Sequence, residues 1–232
     1  MDLQQLREEV LAANLALPAH GLVKLTWGNV SGVDRERGLL AIKASGVAYE
    51  EITADDIVLV DLMSGDVVAG ERRPSTDTPT HRALYRAFES IGGIVHTHST
   101  WATAWAQAER PIPLLGTTHA DFTAEAIPVT RALSAEEVAR DYEGETGTVL
   151  IELIGDRADE VPAALVRGHA PFCWGADPAN AVHNAVTLEE VAKLALLTTV
   201  LRPGGEPLDA VLRDKHYERK HGPGAYYGQA KA

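Results

Sequence analysis

Apolar positions along the chain recur with two different periods, and the switches between them predict the elements. Leu3, Leu6, Val10 and Leu17 fall at roughly helical spacing, with Pro18 and Gly21 beyond them as stops. Leu39 to Ile42 reads as a short strand. Ile57 to Leu62 and Asp66 to Val68 flank Ser64-Gly65 as a hairpin. Thr78 followed by Pro79 predicts a helix start with Thr78 as N-cap. His81, Leu84, Tyr85 and Phe88 then share one face at i, i+3, i+4 and i+7. After Gly92-Gly93, Ile94 to His98 predicts a strand, and an Ala- and Trp-rich helix follows from Ser99 to Ala108. Ser134 and Glu137 have capping-box spacing for a helix ending near Tyr142. Thr148 to Ile154 and Ala164 to Arg167 read as further strands. Asp177-Pro178 opens the longest helix, running to Leu201, and a last helix spans Leu208 to Lys220. Helices, strands and hairpins interleave. That predicts an α/β fold in a single domain over residues 1–232, with a central mixed or antiparallel sheet and helices on both faces.

Composition narrows the function. At 45% hydrophobic and 23% charged residues, the 232-residue chain has enough apolar content to bury a core rather than stay disordered. Its formal charge of -12 argues against nonspecific nucleic-acid binding and against an anionic membrane surface, both of which need basic residues. A lone cysteine, Cys173, excludes an intramolecular disulfide and any two-cysteine zinc site, and reads as a small buried hydrophobe. The most apolar stretch, Val186 to Leu201, is interrupted by Glu189, Glu190 and Lys193, and the start of the chain is polar. The expectation is a cytoplasmic protein with neither nucleic acid nor membrane as partner.

Among nine histidines, His96, His98 and His169 stand out by placement. In a strand, His96 and His98 project from one face, roughly 7 Å apart at their Cα atoms. His169 follows Gly168 after a predicted strand, where a turn can bring it alongside, and Asp77 before the predicted helix is a fourth candidate ligand. Three imidazoles without a thiolate match the catalytic rather than the structural zinc pattern, and such an ion acts as a Lewis acid. The residues alone also fit a polar strand end. Three further segments combine small residues with hydrogen-bond donors: Thr26 to Ser31 around Gly28 and Asn29, Lys43 to Gly46 with Ser45, and Pro74 to Asp77 with Ser75 and Thr76. Such turns make concave anion sites, with Lys43 as an added point charge. Singly they are ordinary turns, and only their convergence on one pocket carries meaning.

The strings Leu25–Ser31, Thr76–His81, Gly93–Ser99, Gly116–Asp121, Gly168–Phe172, Lys215-His216-Tyr217 and Ala225–Gln229 resemble the class II aldolase/epimerase family, and the resemblance runs from the first helix to Gln229. It implies a class II aldolase-like fold and a zinc-dependent epimerase, with other divalent metals as substitutes. The implied reaction interconverts L-ribulose 5-phosphate and D-xylulose 5-phosphate by retro-aldol cleavage and re-formation of the C3–C4 bond. Carried over residue by residue, Asp77, His96, His98 and His169 match the metal motif. Gly28, Asn29, Lys43, Ser45, Gly46, Ser75 and Thr76 match phosphate and substrate contacts, and Asp121 and Tyr227 match an acid/base pair. Similar enzymes are homotetramers with active sites between subunits. Thr76 stands where a serine is common, and Ala44 where a proline is.

Two rival readings remain. A sugar-phosphate aldolase of the same family would release the aldehyde, but related aldolases tend to carry Glu where this chain has Asp77. A non-catalytic sugar-phosphate-binding protein would need neither Asp121 nor Tyr227. Thr117 and His216 are secondary candidates for orienting substrate. His81, on an apolar helix face, reads as a buried structural residue, and Trp27, Trp101, Trp105 and Trp174 as core or interface residues.

Overall fold

A computed structural model describes residues 3–228, so Gln229, the last residue of the tail string, lies outside the described residues. Seven strands, β1 (Asn29–Asp34), β2 (Leu39–Lys43), β3 (Ile57–Asp61), β4 (Val67–Ala69), β5 (Gly93–His96), β6 (Ala163–Leu165) and β7 (Pro171–Gly175), form one sheet. Their order is β4-β3-β2-β1-β5-β7-β6 and every pairing is antiparallel, which decides between the two expected sheet types. The helices are α1 (Leu3–Ala19), α2 (Thr78–Ala87), α3 (Thr100–Gln107), α4 (Thr117–Ala120), α5 (Ala135–Ile154), α6 (Pro178–Leu201) and α7 (Ala210–His221).

Strand alternation divides the core in two. Ile94, Phe172 and Trp174 face one side with Leu84 and Tyr85 of α2 and Leu150 and Ile154 of α5. Val95 and Cys173 face the other with Trp105 of α3 and Leu188 of α6. Successive side chains of β5 and β7 therefore feed different clusters, as the period of two requires. The expected helix face of His81, Leu84, Tyr85 and Phe88 is buried, and so is Cys173. Trp105 and Trp174 are core residues whose indole N–H groups donate to the Ala192 and Ala158 carbonyls, both at 2.9 Å.

Some element assignments change. Thr148 to Ile154 is not a strand but the second half of α5. Its run of apolar and β-branched residues suits a strand, yet Thr146, Leu150 and Ile154 are buried at i, i+4 and i+8, a helical face. Gly147 lets this half lie close on α2, since a Cβ there would sit 2.6 Å from Ala83 Cβ. The Ser134 capping box is present, with Ser134 Oγ accepting from the Glu137 N–H at 3.2 Å. The N-cap position of α2 falls one residue earlier than expected, at Asp77 rather than Thr78. β1 and β7, unassigned from the sequence, are the strands that flank β5. Among the described residues no helix is long and apolar enough to cross a membrane.

Candidate metal and substrate site

The sheet register sets the first part of the site. β5 lies between β1 and β7, which places His96 opposite Asn29 on one side and Phe172 on the other. The His96 ring stacks on Phe172, with centroids 4.2 Å apart and planes 18° apart. β5 ends at His96, but the alternation continues through buried Thr97, and the His98 ring returns to 5.1 Å from that of His96. His169 stands in the tight turn between β6 and β7. Gly168 makes the reversal there at φ +71°, and the His169 N–H donates to the Val166 carbonyl at 3.0 Å. Its ring lies 5.1 Å from His96 and 4.9 Å from His98.

One ligating atom from each of these histidines lies within 4.8 Å of the others. The Nε2 atoms of His98 and His169 are 3.1 Å apart. His96 donates from Nδ1 to the Pro171 carbonyl at 3.0 Å, and His169 Nδ1 is 2.6 Å from the Tyr142 hydroxyl. With Nδ1 engaged in both rings, each Nε2 is free to ligate. Burial, reinforced by the neighbouring imidazoles, holds His169 down at about 4, and burial also holds His98 below its ordinary value. Both rings are therefore neutral at neutral pH, the form that binds a metal. Three imidazole nitrogens with a carboxylate nearby fit a borderline divalent cation.

Asp77 lines the same cavity, of about 440 Å³, with Trp27, Tyr142 and Glu143. Its carboxylate is not part of the three-histidine cluster. It does not cap α2 through its side chain. Instead Oδ2 accepts from Asn29 Nδ2 at 2.7 Å and from Ser75 Oγ at 3.4 Å. Burial alone would raise the Asp77 carboxyl, but the nearby His96 and His81 and the Asn29 hydrogen bond outweigh it and keep it below the ordinary range. His81 itself is buried and bonded to Ser31 Oγ at 2.7 Å, a structural role as expected.

The three donor-rich segments are hydrogen-bonded to one another, and the first and third of them line the imidazole cavity through Trp27, Gly28, Thr76 and Asp77. Asn29 Nδ2 donates to Ser75 Oγ at 3.1 Å, the Ser75 N–H to the Lys43 carbonyl at 3.0 Å, and the Ser45 N–H to the Arg73 carbonyl at 3.0 Å. Ala44 and Pro74 form a bridge between two of the loops. Gly28, at φ +80°, packs against the end of β5, where a Cβ would sit 2.8 Å from the His96 carbonyl oxygen. Ser45, Gly46 and Thr76 are exposed on these loops. Lys43 departs from expectation. Its ammonium is buried beneath the loop, donating to the Val47 carbonyl at 2.6 Å beside the Tyr49 ring, and burial lowers its pKa. Trp27 is 53% exposed at the cavity rim, outside the core of the single chain.

Asp121 and Tyr227 lie elsewhere. Asp121 follows α4 and is gripped by α7. Arg219 donates to both carboxylate oxygens, at 2.9 and 2.5 Å, and His216 Nδ1 lies 3.1 Å away. Burial pushes the Asp121 carboxyl up, but the Arg219 and His216 hydrogen bonds outweigh it and hold the pKa below its usual value. Tyr227 is exposed, with Lys220 Nζ 4.4 Å and the Arg219 guanidinium 4.9 Å from its ring centre. Both residues line a cavity of about 630 Å³ that shares no residue with the imidazole cavity. It abuts Trp174 and Gly175, at the opposite end of β7 from Pro171. Thr117, at the start of α4, lines a third, smaller pocket. Within one chain the expected acid/base pair is therefore remote from the histidines. Tyr142 and Glu143, which line the imidazole cavity, and Arg219, which grips Asp121, are residues that the sequence did not mark.

A family profile described as class II aldolase and adducin N-terminal domain matches residues 8–196. The chain belongs to the class II aldolase family. Asp77, the three histidines and Asp121 fall inside the matched region, and Tyr227 beyond it. The chain is 57% identical over 228 residues to "L-ribulose-5-phosphate 4-epimerase UlaF" of Salmonella paratyphi A (strain ATCC 9150 / SARB42), covering 98% of this chain and 100% of that protein. Among solved structures, an L-fuculose 1-phosphate aldolase superposes with TM-score 0.77 at 26% identity, covering 93% of this chain and 95% of its own. YgbL from Klebsiella pneumoniae, a putative aldolase/epimerase/decarboxylase, superposes with TM-score 0.70 at 25% identity, covering 93% and 99%. The class II aldolase family is metal-dependent, and His96, His98 and His169 form a site able to hold a metal.

Proposed function

We propose that this chain is a zinc-dependent epimerase interconverting L-ribulose 5-phosphate and D-xylulose 5-phosphate. The observation that carries the reading is the group of three imidazoles, two of them held neutral, beside a wall of joined amide- and hydroxyl-bearing loops. The 57% identity to a protein named as an epimerase supports the substrate. His96, His98 and His169 would hold the cation, with Asp77 as fourth ligand or as the counter-charge beside it. Ser45, Gly46, Ser75 and Thr76 offer backbone amide and hydroxyl donors to a phosphorylated substrate, while Asn29, beside the turn at Gly28, braces Ser75 and Asp77 through its own amide. Lys43 contributes from beneath the loop by fixing its shape. When bound, a divalent cation supplies Lewis-acid stabilisation of negative charge developing on substrate oxygen.

The chemistry sets what the protein must add. The C4 hydrogen is not adjacent to the carbonyl, so simple deprotonation cannot invert that carbon. Cleavage of C3–C4 can: a base takes the C4 hydroxyl proton, the aldehyde half turns over, and an acid returns a proton to the same oxygen on the other face as the bond re-forms. Asp121, held ionised by Arg219, is suited to accept the proton, and the Tyr227 hydroxyl to donate it. In the reverse direction they exchange roles. The separation of the two cavities favours a site shared between copies, as in the homotetramer that the resemblance implies, with Asp121 and Tyr227 of one copy completing the imidazole cavity of the next.

Incubation of the metal-loaded protein with L-ribulose 5-phosphate tests this reading. D-xylulose 5-phosphate appears, formation stops after chelation, and zinc restores it. Accumulation of glycolaldehyde phosphate without xylulose 5-phosphate would overturn it in favour of the aldolase.

A further inference from the structure

We infer that Tyr142 is a positioning residue of the metal site, its hydroxyl fixing the His169 ring with Nε2 toward the cation. The inference rests on reading His96, His98 and His169 as metal ligands. It begins with a break in α5. Asp141 has φ -167° and ψ 82°, outside the helical region, and its Oδ1 accepts from the Gly144 N–H at 3.1 Å. Asp141 thereby caps the second half of the helix, as an N-cap carboxylate does. Tyr142 is the first residue after the break and lines the imidazole cavity.

His96 and His169 are held by different means. His96 lies in a central strand, buried, stacked on Phe172 and bonded to the Pro171 carbonyl. His169 sits in a turn, only partly buried, and its ring nitrogens meet Tyr142 Oη at 2.6 Å and His98 Nε2 at 3.1 Å. The Tyr142 and His169 rings are nearly parallel, 11° apart. Ligation through Nε2 requires the hydrogen on Nδ1, so Nδ1 donates and the phenol oxygen accepts. Turning the ring over would put carbon where Nδ1 now stands and lose that bond. The hydroxyl thus selects both tautomer and ring orientation. Loss of such an outer partner typically weakens metal affinity about 10- to 100-fold.

The test is Zn²⁺ affinity of the full chain, measured by competition with a chromophoric chelator. Tyr142→Phe keeps the ring and removes the oxygen, and should bind Zn²⁺ about 10-fold or more weakly. In a His169→Ala background the same change should have no further effect, because Tyr142 acts through His169. Equal affinity of wild type and Tyr142→Phe overturns the inference, and so does an equal loss in the His169→Ala background. A wild-type chain that binds no Zn²⁺ sinks the metal-site reading itself, a result distinguishable from either.

Discussion

The two cavities of this chain are built on different foundations. The imidazole cavity draws on β1, β5, the β6–β7 turn, the start of α2 and the break in α5, all tied to the sheet. Its groups are fixed by hydrogen bonds and stacking within the chain, which is what metal binding and charge stabilisation demand. In the second cavity, which α6 and the end of β7 also line, Asp121 is held by α7, a helix with no buried residue, and Tyr227 is exposed. Here a network of charges does the positioning. Arg219 grips the Asp121 carboxylate and lies beside Tyr227, linking the two candidate proton-transfer groups through one side chain. The three imidazoles thus sit on elements tied to the sheet, whereas Asp121 is held by a surface helix.

The sharpest break comes from removing a ligand. His96→Ala should weaken zinc binding far more than any change to an outer partner and lower turnover by about a thousandfold or more, since several kcal/mol of charge stabilisation is lost. Next, Asp121→Asn should reduce kcat by about 10²- to 10⁴-fold with zinc content unchanged. Assemblies mixed from His96→Ala and Asp121→Asn chains should regain activity, because some sites then receive a good half from each; no recovery would contradict a shared site. A smaller effect follows from Arg219→Met. Asp121 is held ionised by a lowered pKa, so its function as base is lost only as pH falls through that lowered value. Without Arg219 the pKa rises, and the acid limb of the kcat/KM profile moves upward by about 1 pH unit or more. The smallest effect is on stability. Gly28→Ala combines a left-handed φ with a clash on the His96 carbonyl, whereas Gly46→Ala, at φ +72° with nothing within 4 Å, carries the strain alone. Gly46→Ala should cost about 1 kcal/mol and Gly28→Ala more, read from denaturant midpoints.

How legible these regions were from sequence follows from the range of the forces involved. His96 and His98 could be paired because strand alternation is local, and the Ser134 box because capping spans three residues. The converging loops were recognisable one at a time, but their hydrogen bonds join residues 46 or more positions apart in the case of Asn29 with Ser75 and Asp77. Thr148 to Ile154 misled because β-branched content speaks for a strand, while packing on α2 decided for a helix. Tyr142 carried no signal of its own. The hint was Asp141 with Gly144 three residues on, a capping pattern inside what read as the end of a helix. Arg219 was invisible because its partner Asp121 is 98 positions away.

The central claim is that three imidazoles from β5, its extension and the β6–β7 turn hold one divalent cation. X-ray absorption at the zinc edge of the fully loaded protein tests it most directly. One zinc per chain with scattering from three imidazole nitrogens at about 2.0–2.1 Å is the predicted result. Substoichiometric zinc, or a shell lacking imidazole scattering, would contradict it.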